Sequence, residues 1–172
     1  MRGIAKAALA LGALVAASSP ALAVPVSAPT PPPARALLLI PLILTKVQDL
    51  SFGTIVPSTT TAGFVSINAA TGARTGSAGL TLMPVDVGQR AQFAGAGTPN
   101  QQVIIALTPP AELTNPAGDT IQVLAMSLDG PTTRSIAANQ TFFVGVGGVI
   151  FIAANQEEGL YSAEYDITAD YQ

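Results

Sequence analysis

The chain has 172 residues, 10 % charged and 49 % hydrophobic, with a formal net charge of −3 and no Cys, His or Trp. Without Cys there are no thiolate nucleophiles, disulfides or zinc-finger ligands, and without His the commonest general base is missing. The seven basic residues are scattered, which excludes a basic platform for nucleic acid or anionic lipid.

Residues 1–23 read as a secretory signal peptide. Arg2 and Lys6 make a basic start, Ala7 to Ala17 is a short apolar run, and Ala21-Leu22-Ala23 offers small residues for cleavage. The run is too short to span a bilayer. Cleavage after Ala23 leaves 149 residues with five basic and ten acidic side chains, a formal charge of −5. That length fits one domain. The chain is expected to be exported, with no stable membrane span once the signal is removed.

Residues 24–35, VPVSAPTPPPAR, form a Pro-rich leader that favours polyproline II. Residues 36–44, ALLLIPLIL, are the most apolar stretch of the mature chain. Left in water they would be an aggregation hazard, so they must be buried somewhere. The set Ala36, Leu38, Ile40, Leu42 and Leu44 could fill consecutive pockets on one face. Two readings are open: a first strand of the chain's own domain, or a strand donated to a neighbouring copy.

Val47 to Pro57 is read as a strand bent at Gly53, with Leu50, Phe52 and Ile55 as anchors. Phe64–Ile67 is a short strand, and residues 70–79 are a loop. Leu80 to Val87 is a strand that Pro84 confines to an edge. Arg90–Phe93 alternates and gives way to a turn at Gly95, Gly97 and Pro99. Gln102–Leu107 is a strong strand ended by Pro109-Pro110.

Asn115-Pro116-Ala117-Gly118-Asp119 is a turn in which Asn caps, Pro fixes φ and Gly takes a positive φ. Thr120 to Leu128 alternates, with Ile121, Val123, Ala125 and Ser127 on one face. Asp129-Gly130-Pro131 is a further turn. Thr141 to Ile152 reads as two strands joined tightly at Gly145 and Gly147-Gly148. The six Phe are expected in the core.

From Tyr161 to Tyr171 every odd position is apolar or aromatic and every even position polar. About one window in a thousand would do this by chance. It is the signature of a strand with one face on a core and one in water. Glu164, Asp166 and Asp170 lie on the polar face, with Glu157 and Glu158 just before. These carboxylates read as a solvated face that discourages edge-to-edge pairing. No loop has the oxygen density of a Ca²⁺ site. No catalytic residue, cofactor or metal ligand is expected, and neither is enzymatic activity.

Short strands at roughly ten-residue spacing, without helical periodicity, predict an all-β sandwich. A barrel is the alternative.

The last fourteen residues, with Gly159 fourteenth from the end and a penultimate Tyr171, resemble the terminal strand of chaperone–usher pilus subunits. The wider chain, from residue 45 to 172, resembles a bacterial domain-of-unknown-function family, number 4402, linked to such pilus systems. Its matching stretches are Val47 to Ile55, Phe143-Val144-Gly145 with Gly147-Gly148, and Gln156 to Tyr171.

This resemblance implies a mostly antiparallel, immunoglobulin-like (pilin-type) β-sandwich over residues 36–172. It also implies a fimbrial subunit that adheres or assembles by strand donation. Gly159, Tyr161, Tyr165, Ile167 and Tyr171 would form the strand that faces the chaperone and lines the groove. The implied partners are a periplasmic pilus chaperone, an outer-membrane usher and further copies in head-to-tail order. The implied route runs through the periplasm to the cell surface. Many such subunits carry a disulfide; this chain departs from them. A reading from another class is a self-contained periplasmic or extracellular binding domain, for instance for carbohydrate.

Overall fold

The computed structural model describes residues 26–27, 30 and 33–172. The signal peptide expected over residues 1–23 lies outside the described residues, as does part of the leader. Residues 38–172 form one compact unit.

Among the described residues twelve strands follow one another, and none of these residues is helical. They are β1 (Ile43–Gln48), β2 (Ile55–Val56), β3 (Gly63–Ile67), β4 (Arg74–Gly76), β5 (Thr81–Leu82) and β6 (Ala91–Ala96). Then come β7 (Gln102–Thr108), β8 (Glu112–Thr114), β9 (Thr120–Leu128), β10 (Thr133–Ser135), β11 (Thr141–Ile152) and β12 (Asp166–Tyr171). Every ladder is antiparallel. The protein is all-β and sandwich-like, as the spacing predicts.

The larger sheet has seven strands. Its main order is β1-β6-β11-β3-β4, with β9 on β11 and β8 on β9. The smaller sheet is β10-β7-β12, and β2 pairs with β5 separately. Val146 opposes both Ala91 and Leu128. So β6 and β9 flank β11 on opposite edges, and β3 continues the β6 edge further along.

Residues 141–152 are thus one long strand, not two. Its glycines are not a connection. A Cβ at Gly145 would stand 2.5 Å from the Ala69 carbonyl oxygen, and one at Gly147 2.5 Å from the Ala69 nitrogen. The glycines let the chain after β3 cross closely over β11. The same physics extends β6 through Gly95, expected in a turn: the Phe142 ring occupies the space a side chain there would fill.

Two buried clusters hold the layers together. The first joins Ala91 and Phe93 of β6, Val103 and Ile105 of β7, and Phe142, Val144 and Val146 of β11, with Ile136. The second gathers Val65, Ile121, Ile150 and Ile152. Each fully buried aliphatic side chain contributes about 1.5–3 kcal/mol by transfer.

Leu50, Phe52 and Ile55 are anchors as expected, Leu50 on the first cluster and the other two on the second. Val47 to Pro57 is not one strand, however. It holds the end of β1, a bridge at Ser51 and the two residues of β2. Gly53 bends it with φ +70, and a Cβ there would press on the Asp86 carbonyl.

Other expectations change too. The strand at Leu80 to Val87 shrinks to β5, and β4, β8 and β10 were not foreseen. In β9 the buried face shifts from Ile121 and Val123 to Met126 and Leu128, because the register slips opposite Val149 and Ile150. The phenylalanines divide: Phe93 and Phe142 are buried, while Phe64 and Phe143 are largely exposed. The turn after β8 is as predicted, with Gly118 at φ +97. Asn115, the one buried polar residue among those described, bonds Asp119 there.

Candidate functional site

Strand β12 borders the open side of the sandwich. Among the described residues it pairs with β7 alone, and β1 is the end strand of the larger sheet on the same side. Ile167, Ala169 and Tyr171 are half-buried on the first core cluster, while Asp166, Thr168 and Asp170 are exposed.

The hydrogen-bond phase of β12 follows from its neighbours. The Gln172 N–H donates to the Gln102 carbonyl at 3.0 Å. On the far side of β7, the Ile105 N–H donates to Thr132. Bonded pairs alternate along an antiparallel ladder. Residues 166, 168 and 170 therefore bond to β7. The N–H and C=O groups of Ile167, Ala169 and Tyr171 point away from it. Among the described residues, no backbone hydrogen bond reaches them from that side. This is an open strand edge carrying three donors and three acceptors.

One end of the edge is closed by a ring of three hydrogen bonds. The Thr98 N–H donates to the Tyr171 phenol oxygen at 2.7 Å. The Tyr171 hydroxyl donates to the Ile40 carbonyl at 2.7 Å. The Ile40 N–H donates to Thr98 Oγ1 at 2.7 Å. Gly97 makes room for this: a Cβ there would lie 2.5 Å from the Tyr171 oxygen and 2.9 Å from Leu42 Cδ1.

The apolar segment 36–44 is split at this point. Leu42 and Leu44 pack on the chain's own core, and β1 pairs with β6 from Ile43 onward. Ala36, Leu38 and Ile40 are exposed, Leu38 at 86 %. The even-numbered set therefore does not share one environment.

The terminal stretch is split as well. Its strand begins at Asp166, not Tyr161, and Ser162 makes only an isolated bridge to Thr114. Tyr161 packs on the second cluster, and its hydroxyl donates to the Glu157 carbonyl at 2.8 Å. Gly159 lies over the Asn115 turn, where a Cβ would sit 3.0 Å from Asn115 Nδ2. Tyr165 packs on the first cluster, and its phenol is held above its ordinary range by burial and then by the nearby Asp49 carboxylate. Of the five residues singled out on this strand, the structure brings Tyr165, Ile167 and Tyr171 together at the open side. It sets Gly159 and Tyr161 against the other half of the sandwich.

Glu157, Glu158, Glu164, Asp166 and Asp170 are all exposed. No group of three or more potential metal-ligating side chains is assembled among the described residues. What this arrangement can do is accept an extended chain: main-chain bonds along β12 would supply affinity, and the apolar side chains would set register. Sequence reasoning missed Gly97 and Thr98, which read only as part of a turn. The Gly-Thr-Pro order names a turn but says nothing about which distant backbone it will hold.

The family model described as "Domain of unknown function (DUF4402)" matches residues 42–171. The match begins just past Pro41 and ends at Tyr171. No curated protein and no solved structure matches the chain.

Proposed function

We propose a non-catalytic, strand-accepting role for this chain, which belongs to the DUF4402 family of domains of unknown function. In this reading it is an exported structural or adhesive surface protein of the pilin type, its sandwich immunoglobulin-like. Copies assemble head to tail by strand addition to β12. The route passes through the periplasm with a chaperone and usher as helpers.

The observation that carries the reading is the open edge of β12 at Ile167, Ala169 and Tyr171, backed by core-facing side chains. A bound strand would satisfy these main-chain groups at about 0.5–1.5 kcal/mol net for each bond. Apolar side chains entering beside them would add about 1.5–3 kcal/mol each on full burial. A head-to-tail contact of this kind does not close on itself, so it generates a filament.

The donated arm is confined to residues before Ile40, because Leu42 and Leu44 already serve their own domain. Leu37 and Leu38, exposed at 77 % and 86 %, are its apolar core.

Size-exclusion chromatography tests this. Mature protein should form oligomers that survive brief unheated detergent. Deleting residues 24–38, which spares the Ile40 bonds, should give monomers that bind a peptide of residues 33–39. Oligomers of unchanged size after the deletion would refute the assignment of the donor.

One observation favours a second reading. Because β1 is supplied in cis, the domain has a complete first strand, as a self-contained binding domain would. A soluble monomer of the full mature chain that ignores the peptide would favour it.

A further inference from the structure

Ile40 is held at both of its main-chain groups by side chains from different sheets. Thr98 follows β6 of the larger sheet, and Tyr171 ends β12 of the smaller one. An exposed residue in an irregular segment, held at both its N–H and its C=O, is an anchored point. Pro41 follows directly and fixes its own φ. It also keeps Ile40 out of the α region.

The anchor sits at a particular end of the open side. Ile43 opposes Ala96, and a Cβ at the adjacent Gly97 would touch Leu42, Ile136 and the Tyr171 oxygen. From there β1 runs to Gln48, and Asp49 next to it lies near Tyr165. So β1 runs from the Tyr171 end of β12 to its Tyr165 end, opposite in direction to β12. The segment before Leu42 reaches the domain at the Tyr171 end.

Residues 33–39 are long enough to cover the edge from Ile167 to Tyr171, since an extended chain spans about 3.3 Å per residue. Length alone would therefore allow the arm to fold back on its own β12. Doing so requires a reversal at residues 39–41, where the three hydrogen bonds and Pro41 hold the backbone.

We propose that the Thr98–Ile40–Tyr171 ring is an anchor that sets the arm's direction of departure. It keeps the arm off the chain's own β12 edge and so directs it to a second copy. This rests on the strand-accepting reading above and adds which copy's edge is filled. Tyr171 and Thr98 are positioning residues in this account. They act through Ile40 and touch the incoming strand only at its end.

The absence of Cys allows a direct test. Thr168→Cys places a thiol on the solvent face of β12. Combining it with Leu37→Cys in one protein and Leu38→Cys in another ensures that one arm thiol faces the same way. Under mild oxidation at low micromolar concentration, the expected product is an interchain disulfide that yields ladders without reductant. Adding Thr98→Ala or, separately, Tyr171→Phe should shift the product severalfold toward an intrachain disulfide in monomers. Thr98→Ser, which keeps the hydroxyl, should restore the ladder. Circular dichroism confirms that each variant is folded.

An intrachain disulfide in the protein with the ring intact would overturn the anchor while leaving strand addition to β12 standing. Interchain product unchanged in both ring variants would also overturn it. No disulfide of either kind, from either arm position, would overturn the strand-accepting reading together with the anchor.

Discussion

The Tyr165 ring meets Phe93 edge-on, with centroids 6.4 Å apart and planes at 84°. An aromatic pair in this geometry adds about 0.5–1.5 kcal/mol beyond the area it buries. It pins the start of β12 to β6 across the sandwich. Burial, and then the neighbouring Asp49 carboxylate, raise the phenol's pKa above its ordinary 10.0. Below about pH 10 the phenol is protonated in both folded and unfolded chains and adds no pH dependence. Above it the unfolded chain releases the proton first, so stability falls until the folded-state phenol also ionises. Tyr165→Phe should flatten this alkaline loss while keeping the ring pair. Urea midpoints at pH 8 and at pH 10.5, for both proteins, measure the difference.

The glycines of β11 make a second prediction, about stability. Gly147→Ala places a methyl group against the backbone of Ile67 and Ala69, which cannot swing away. We expect a loss of about 3 kcal/mol, at the upper end for overpacking. Gly118→Ala has open space around it and only a positive φ to strain it. It should cost about 1–2 kcal/mol. Equal denaturation midpoints for the two variants would show that the close crossing over β11 does not exist.

The two faces of the terminal stretch differ in tolerance. Ile167 is half-buried on the core, and Ile167→Asp places an unpaired carboxylate there, at about 3 kcal/mol. Glu164 is exposed, and Glu164→Ser should stay within about 0.5 kcal/mol. Recovery of soluble protein should fall sharply for the first and not for the second. Equal recovery would contradict the assignment of faces.

The signal-peptide reading of residues 1–23 makes a further prediction: cleavage after Ala23 should leave Val24 as the first residue of mature protein. N-terminal sequencing of protein recovered from the periplasm reads it directly, and an intact Met1 on membrane-bound protein would contradict it.

Local chemistry was readable wherever it acts between neighbours in sequence. The Asn115 turn with Gly118 at positive φ follows from five adjacent residues. So does the alternation that faces Ile167, Ala169 and Tyr171 inward. Gly145 and Gly147 of β11 misled because the backbone that crowds them, at Ile67 and Ala69, lies more than seventy residues away. The same residue type marks a turn or a close crossing, and only the third dimension separates the two. β4 and β10, Arg-Thr-Gly and Thr-Arg-Ser, are too short and too polar to show a period. The Thr98–Ile40–Tyr171 ring joins three segments by pairing two side-chain hydroxyls with main-chain groups of Thr98 and Ile40, and nothing local tells a hydroxyl which distant backbone it will meet. Of the candidate site, the strand and its inward face were legible, while the open edge and its closed end were not.

Backbone amide hydrogen exchange at β12 tests the central claim most directly. The N–H groups of Thr168 and Asp170 bond to β7 and serve as the reference. Those of Ile167, Ala169 and Tyr171 face the open side. In monomers lacking residues 24–38 these three amides should exchange fast, and in assembled mature protein they should slow by at least about a hundredfold, to the level of a bonded strand. If they exchange equally fast in the assembly and in the monomer, β12 does not accept a strand and the account fails.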